Sequence, residues 1–133
     1  MKEYNIFISH AWDYNDDYYR LENMLDNAED FEWRNYSVPE HDAIDSDDDK
    51  ELEDALRNQI RPASVVLITS GMYIPYRKWI QKEIDIAIDM EKPIIAVIPW
   101  GSQKIPQEIE EVADAIAGWN TISIVEAIEE LSL

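Results

Sequence analysis

The sequence predicts an α/β domain in which helices cover both faces of a parallel β-sheet. Three short runs, 4–9, 64–69 and 94–98, are apolar at nearly every position, which is typical of strands buried on both faces. Between these runs lie segments with apolar residues three and four apart, which is typical of helices. Strands that alternate with helices in short units favour a parallel sheet with right-handed crossovers.

The first half of the chain is predicted to form two strands and two helices. Tyr4–Ser9 is the first strand, and a helix follows from about Asp16 to Asn27. Phe31–Ser37 alternates aromatic and polar residues as a second strand, which Pro39 stops. The second helix is expected from about Asp49 to Ile60, since acidic residues near its start interact favourably with the helix dipole.

The second half begins with the most continuous apolar strand of the chain, Ser64–Thr69, which a Ser-Gly turn follows. A third helix is expected from about Pro75 to Met90, because proline is tolerated in a first helical turn. Its buried face is predicted to contain Ile80, Ile84, Ala87 and Ile88. A fourth strand is expected at Ile94–Ile98, between two prolines.

The C-terminal part is less regular in its pattern. Gln107–Val112 is predicted as a short helix, and Val125–Leu131 as a closing helix. Thr121–Ile124 could hold a fifth strand or only a connection. Together the elements predict a flavodoxin-like three-layer sandwich with about five parallel strands in the order 2-1-3-4-5.

Length and composition indicate one domain, 1–133, with its own core. The net charge of −18 repels phosphate backbones and anionic lipids, so neither nucleic acid nor a membrane surface is an expected partner. The chain has no cysteine, which excludes disulfides and a thiolate nucleophile. Its first residues lack the apolar run of a signal peptide, and no run could span a bilayer, so a cytoplasmic location is expected.

The expected ligand crevice lies where the strand order reverses, at the carboxyl ends of the first and third strands. The residues that follow these strands are Ser9, His10 and Trp12 on one side and Ser70 and Tyr73 on the other. A phosphoacceptor receiver domain would have acidic residues at these strand ends, which this chain lacks. It also has only three glycines, and neither a GxGxxG fingerprint nor a P-loop is present.

The third predicted helix carries a carboxylate near this crevice. Trp79 and Glu83 are four residues apart, beside the Ile80/Ile84 stripe and not on it, so Glu83 is expected at the crevice rim. Spacing alone leaves open a plainer interpretation, in which Glu83 is one of many surface acids and Trp79 covers the sheet edge.

The stretch 40–54 holds nine acidic residues and one lysine. We expect its first half to be a solvated loop and its second half to be the start of a helix. A divalent metal site is the alternative, but the stretch lacks the glycine and the terminal glutamate of a calcium loop, so no metal is expected.

Two segments resemble the TIR-like domain family. YNIFISHAWD at 4–13 is similar to its first box, and SGMYIPYRKWIQKEI at 70–84 is similar to its catalytic-helix box, which ends in W-x-x-x-E. The chain also resembles the ThsB-type subgroup of Thoeris antiphage defence, notably at 35–44 and 117–128. The usual basic Pro-Gly loop after the second strand is replaced by the acidic stretch, which argues against receptor-style assembly between TIR domains.

The resemblance implies an enzyme that cleaves NAD+ between nicotinamide and ribose, with Glu83 as the catalytic residue and NAD+ as substrate, not as cofactor. Trp79 and Tyr73 would then shape the pocket wall, while Ser9, His10, Trp12 and Ser70 would line the nicotinamide and phosphate side. His10 could instead act as a general base or close the turn after the first strand.

The resemblance also implies that the product, an ADP-ribose derivative, reaches a separate effector. Self-association and a phage-derived trigger are expected on the same analogy. Two alternatives stay open from the sequence: a non-catalytic TIR-like interaction module, and a nucleoside N-ribosyl transferase that uses the same glutamate.

Overall fold

The computed structural model describes residues 2–9, 16–37, 49–69, 77–98 and 106–132, and the strands in these ranges form one sheet. The strands are β1 (Glu3–Ser9), β2 (Glu32–Asn35), β3 (Val65–Thr69), β4 (Ile94–Val97) and β5 (Ala115–Ala117). The helices are α1 (Asp16–Asp26), α2 (Asp49–Ile60), α3 (Arg77–Asp89), α4 (Gln107–Val112) and α5 (Thr121–Leu131). No helix within these ranges is long and apolar enough to cross a membrane.

All strand pairs are parallel, and the order is β2-β1-β3-β4-β5. The predicted flavodoxin-like order 2-1-3-4-5 is therefore confirmed. The order reverses at β1, because β2 is added on one side of it and β3, β4 and β5 are added on the other. Parallel α/β sheets bind ligands next to such a reversal, which here lies at the carboxyl ends of β1 and β3.

The core consists of two apolar layers on the two faces of the sheet. Helices α2, α3 and α4 contribute Leu56, Ile84 and Ile109 to the first layer, which contains Phe7 of β1. Helices α1 and α5 contribute to the second layer, which contains Ile6 and Ile8 of β1. Successive side chains of a strand point to opposite faces, so every buried strand supplies both layers.

The C-terminal elements differ from the prediction. The fifth strand is Ala115–Ala117 and not Thr121–Ile124, which instead forms the start of α5. The reason is a helix cap: the Asn120 side chain accepts a hydrogen bond from the backbone N–H of Ser123 at 2.8 Å. Helical spacing then buries Ile124 and Ile128 against the sheet.

The buried face of α3 is also rotated relative to the prediction. Ile88 is 51% exposed, whereas Ile86 is only 2% exposed and packs in the layer that contains Leu56 and Ile60 of α2. Because α2 contacts α3, the buried arc extends toward the side that faces α2. Glu83 lies on this side of the helix, between Ile80 and Ile86.

Candidate active site

The candidate site begins with the last residue of β1. Ser9 pairs with Ile68 of β3 at the carboxyl end of the sheet, next to the point where the strand order reverses. Ser9 has the same parity along β1 as Phe7, so its side chain points to the face that α3 covers. A hydroxyl group at this position therefore points toward helix α3.

A carboxyl group of α3 meets this hydroxyl. The Ser9 Oγ donates a hydrogen bond of 2.6 Å to the Glu83 Oε1, and both residues are only 1% exposed. Seventy-four positions separate them in the sequence. The prediction that Glu83 lies at the rim of the crevice, or is an ordinary surface acid, is therefore wrong, since the rotated face of α3 places it in the interior.

The environment of Glu83 makes its ionised form costly. Burial raises the pKa of the Glu83 carboxyl from 4.5 to about 8, while the hydrogen bond from Ser9 lowers it and only partly compensates. At neutral pH the carboxyl group is thus mainly protonated. A cation bound beside it would favour the carboxylate, and a carboxyl group held in this way is a common feature of catalytic sites.

No contact in the described part of the structure joins the other predicted site residues to Ser9 or Glu83. Trp79 lies in α3, four residues before Glu83, but its side chain is outside the described part of the structure. His10, Trp12, Ser70 and Tyr73 also lie outside the described residues, as does most of the acidic stretch 40–54. Their roles stay predictions.

An open groove lies at the opposite edge of the sheet, where β4 begins. Its volume is about 400 Å³, and Ile88, Lys92, Ile94, Val112 and Leu131 contribute to its lining. This edge carries the amino ends of the strands, whereas ligands of parallel α/β sheets bind at the carboxyl ends. Within the described ranges, no group of three or more potential metal ligands is present. We therefore centre the site on Ser9 and Glu83.

Sequence reasoning missed a group of polar residues on the β2 side of β1. The Ser37 Oγ accepts a hydrogen bond of 2.9 Å from the backbone N–H of Ile8, directly before Ser9. Tyr18 and Asn35 extend this contact toward α1. The only signal in the sequence was the presence of two small polar residues, Asn35 and Ser37, on either side of Tyr36 at the end of the second strand.

Solved structures with similar folds include two bacterial proteins. A CMP N-glycosidase, BcmB, of Clostridium botulinum matches with a TM-score of 0.54 and 16% identity, over 95% of this chain and 98% of that one. A 3-dehydroquinate dehydratase-like protein of Bifidobacterium longum matches with a TM-score of 0.49 and 13% identity, over 98% and 95% of the two chains. Similarity at this identity shows the α/β fold alone. No curated protein matches the chain.

The family model of the TIR-like domain of the Thoeris protein ThsB matches residues 7–104. The match includes the end of β1 with Ser9, the network around Ser37, and α3 with Glu83. It covers well over half of the chain and confirms the resemblance that the two sequence boxes indicated. The chain belongs to the TIR-like domain family of the Thoeris protein ThsB.

Proposed function

We propose that this protein cleaves NAD+, releases nicotinamide and produces an ADP-ribose-derived signal in antiphage defence. The observation that carries the proposal is the buried Glu83 carboxyl group, which the Ser9 hydroxyl contacts at 2.6 Å at the reversal point of the sheet. A glutamate is rarely buried to this extent unless it is paired, so its position demands a specific role.

The chemistry requires only one such carboxylate. The bond between the ribose carbon and the nicotinamide nitrogen breaks, its electron pair leaves with nicotinamide, and positive charge develops on the ribose. Nicotinamide departs as a neutral molecule, so it needs no general acid, in contrast to the leaving groups of ordinary glycosidases. The Glu83 carboxylate would stabilise the developing oxocarbenium charge in a site from which water is excluded. Water, or a hydroxyl or nitrogen nucleophile, then forms a bond to the ribose carbon and loses its proton to solvent.

The positive nicotinamide ring of the substrate also fits the electrostatics of the site. The raised pKa of Glu83 disfavours its carboxylate in the free protein. The positive nicotinamide ring would favour this carboxylate as it binds, since an opposite charge nearby lowers the pKa of an acid. A neutral nucleoside would provide no such compensation, which favours NAD+ over the N-ribosyl transfer of neutral substrates.

The main rival is a non-catalytic interaction module. In that case the hydrogen bond between Ser9 and Glu83 serves only to fasten α3 to β1, and the fold acts through its surface. A CMP N-glycosidase shares this fold, which agrees with N-glycosidic chemistry and does not identify the base. Turnover and product mass distinguish these alternatives.

The test is nicotinamide release from NAD+ by the purified protein, alone and in lysate from phage-infected cells, with the products identified by mass spectrometry. CMP and a neutral nucleoside serve as parallel substrates. Release of nicotinamide with a matching ADP-ribose product supports the proposal, and the mass shows whether the product is hydrolysed, cyclised or conjugated. Absence of turnover with every substrate and in both conditions would favour the interaction module.

The reaction is expected to accelerate as the pH rises. If the carboxylate of Glu83 is the active form, kcat/KM rises about tenfold per pH unit below the pKa of about 8 and levels off above it. The value of kcat should level off at a lower pH, because bound NAD+ favours the carboxylate. Steady-state rates between about pH 6 and about pH 9 measure both profiles. A kcat/KM that is constant over this range would exclude Glu83 as the titrating group.

A further inference from the structure

The N–H group of Ile8 lies beyond the end of the β1–β2 ladder. The last paired residues of these strands are Ile6 and Asn35, and the Ile6 carbonyl accepts the N–H of Tyr36 at 2.8 Å. Ile8 has the same parity as Ile6, so its N–H points to the β2 side of the sheet, where β2 has already ended. A buried N–H group of this kind needs another acceptor.

The side chain of Ser37 provides this acceptor. Its Oγ lies 2.9 Å from the Ile8 nitrogen, and the residue is only 6% exposed. The hydroxyl thus replaces the ladder carbonyl that β2 would have supplied had it continued. It thereby restrains the backbone of β1 at the residue next to Ser9.

Ser37 is itself held by two neighbours. Its backbone N–H donates to the Asn35 Oδ1 at 2.9 Å, and its hydroxyl forms a hydrogen bond with the Tyr18 side chain. The Asn35 Nδ2 donates to the Tyr18 oxygen at 2.7 Å, which closes the network between β2 and α1. Burial raises the pKa of Tyr18, so its hydroxyl stays neutral at physiological pH.

We propose that Ser37, held by Tyr18 and Asn35, is a positioning residue that holds the end of β1 so that the Ser9 hydroxyl meets Glu83. The network touches the reacting carboxyl group only through Ile8 and Ser9, so Ser37 is not a catalytic residue in this scheme. Its catalytic significance rests on the proposed NAD+ cleavage, whereas its effect on the Glu83 carboxyl group does not.

The experiment measures that effect directly. The side-chain carboxyl carbon of Glu83 is titrated by NMR in ¹³C-labelled protein, and its signal is assigned by its loss in Glu83→Gln. Ser9→Ala, which removes the hydrogen bond itself, is expected to raise the Glu83 pKa by about 1–2 pH units. Ser37→Ala should raise it by about 0.5 pH units or more, because the Ser9 hydroxyl is then less well aligned.

Two further variants complete the design. Ser132→Ala is the matched control, because the Ser132 hydroxyl is buried without a partner within the described ranges, and it should leave the titration unchanged. Tyr18→Phe keeps the ring and removes the oxygen that contacts Ser37, so it should also raise the Glu83 pKa. This variant tests the proposal if Ser37→Ala does not fold.

The proposal is overturned if folded Ser37→Ala has the same Glu83 pKa as the wild type. If Ser37→Ala does not fold, the same result in Tyr18→Phe overturns it. The titration requires no turnover. A shifted titration in a protein that never releases nicotinamide would therefore refute the proposed reaction and leave the positioning role intact.

Discussion

Glu83→Gln is expected to lower the rate of nicotinamide release by about 100-fold to 1,000-fold, the usual cost of removing one group that stabilises transition-state charge. Glutamine is nearly isosteric and can still accept the hydrogen bond from Ser9, but it cannot carry the negative charge that opposes the oxocarbenium ion. The measurement is kcat/KM for NAD+ at about pH 8.5, where the wild-type carboxyl group is mainly ionised.

A matched control exists on α5. Glu126 is exposed on that helix, so Glu126→Gln makes the same chemical change without touching the site and should keep the wild-type rate. If Glu83→Gln retains a rate within a few-fold of this control, then Glu83 is not the stabilising carboxylate. The purity of the preparation is tested at the same time, since a contaminating enzyme would give equal rates for all variants.

Much of the fold could be predicted from the sequence because its inner strands are apolar on both faces. Val65–Thr69 and Ile94–Val97 are buried throughout, and such runs are recognisable without knowledge of their neighbours. Helix α2 has the bounds Asp49–Ile60 that were predicted for it. Once strands and helices alternate, the parallel sheet follows from general rules.

The fifth strand could not be predicted, for a physical reason. Ala115–Ala117 has only three residues, two of which are alanines with little β-propensity, and it is a strand because β4 pairs with it. The following Thr-Ile-Ser-Ile run has the β-branched residues of a strand, yet the Asn120 cap and the burial of Ile124 and Ile128 make it helical. A capping hydrogen bond and tertiary packing outweigh local propensity here.

The candidate site could likewise be predicted in part only. The strand end at Ser9 and the helix that carries Glu83 could be predicted, because topology alone determines where parallel strands end. The burial of Glu83 could not be predicted, since it depends on the rotation of α3 toward α2 and on a hydroxyl group from a distant segment. The network of Tyr18, Asn35 and Ser37 likewise joins residues whose spacing follows no motif.

Glu83→Gln is also expected to remove the contribution of Glu83 to the pH dependence of stability. In the folded wild type the carboxyl group has a pKa of about 8, above its ordinary 4.5, so the folded state binds the proton more tightly than the unfolded state. Stability from Glu83 is therefore fully present below about pH 4.5, declines between that pH and about pH 8, and is absent above it. At about 1.4 kcal/mol per pH unit, this interval corresponds to at most about 5 kcal/mol.

The variant lacks this titration. The difference between its free energy of unfolding and that of the wild type should therefore shift in favour of the variant by about 3–5 kcal/mol from about pH 5 to about pH 9. Urea denaturation of both proteins at the two pH values measures the change. The packing cost of the glutamine amide does not depend on pH, so it cancels when the two pH values are compared. The repulsion among the other acids is common to both proteins, so it cancels when the variant is compared with the wild type. Glu126→Gln should show no such change. A constant difference between Glu83→Gln and wild type would mean that the carboxyl group is ionised in the folded protein at no cost, and that its burial holds no free energy available for catalysis.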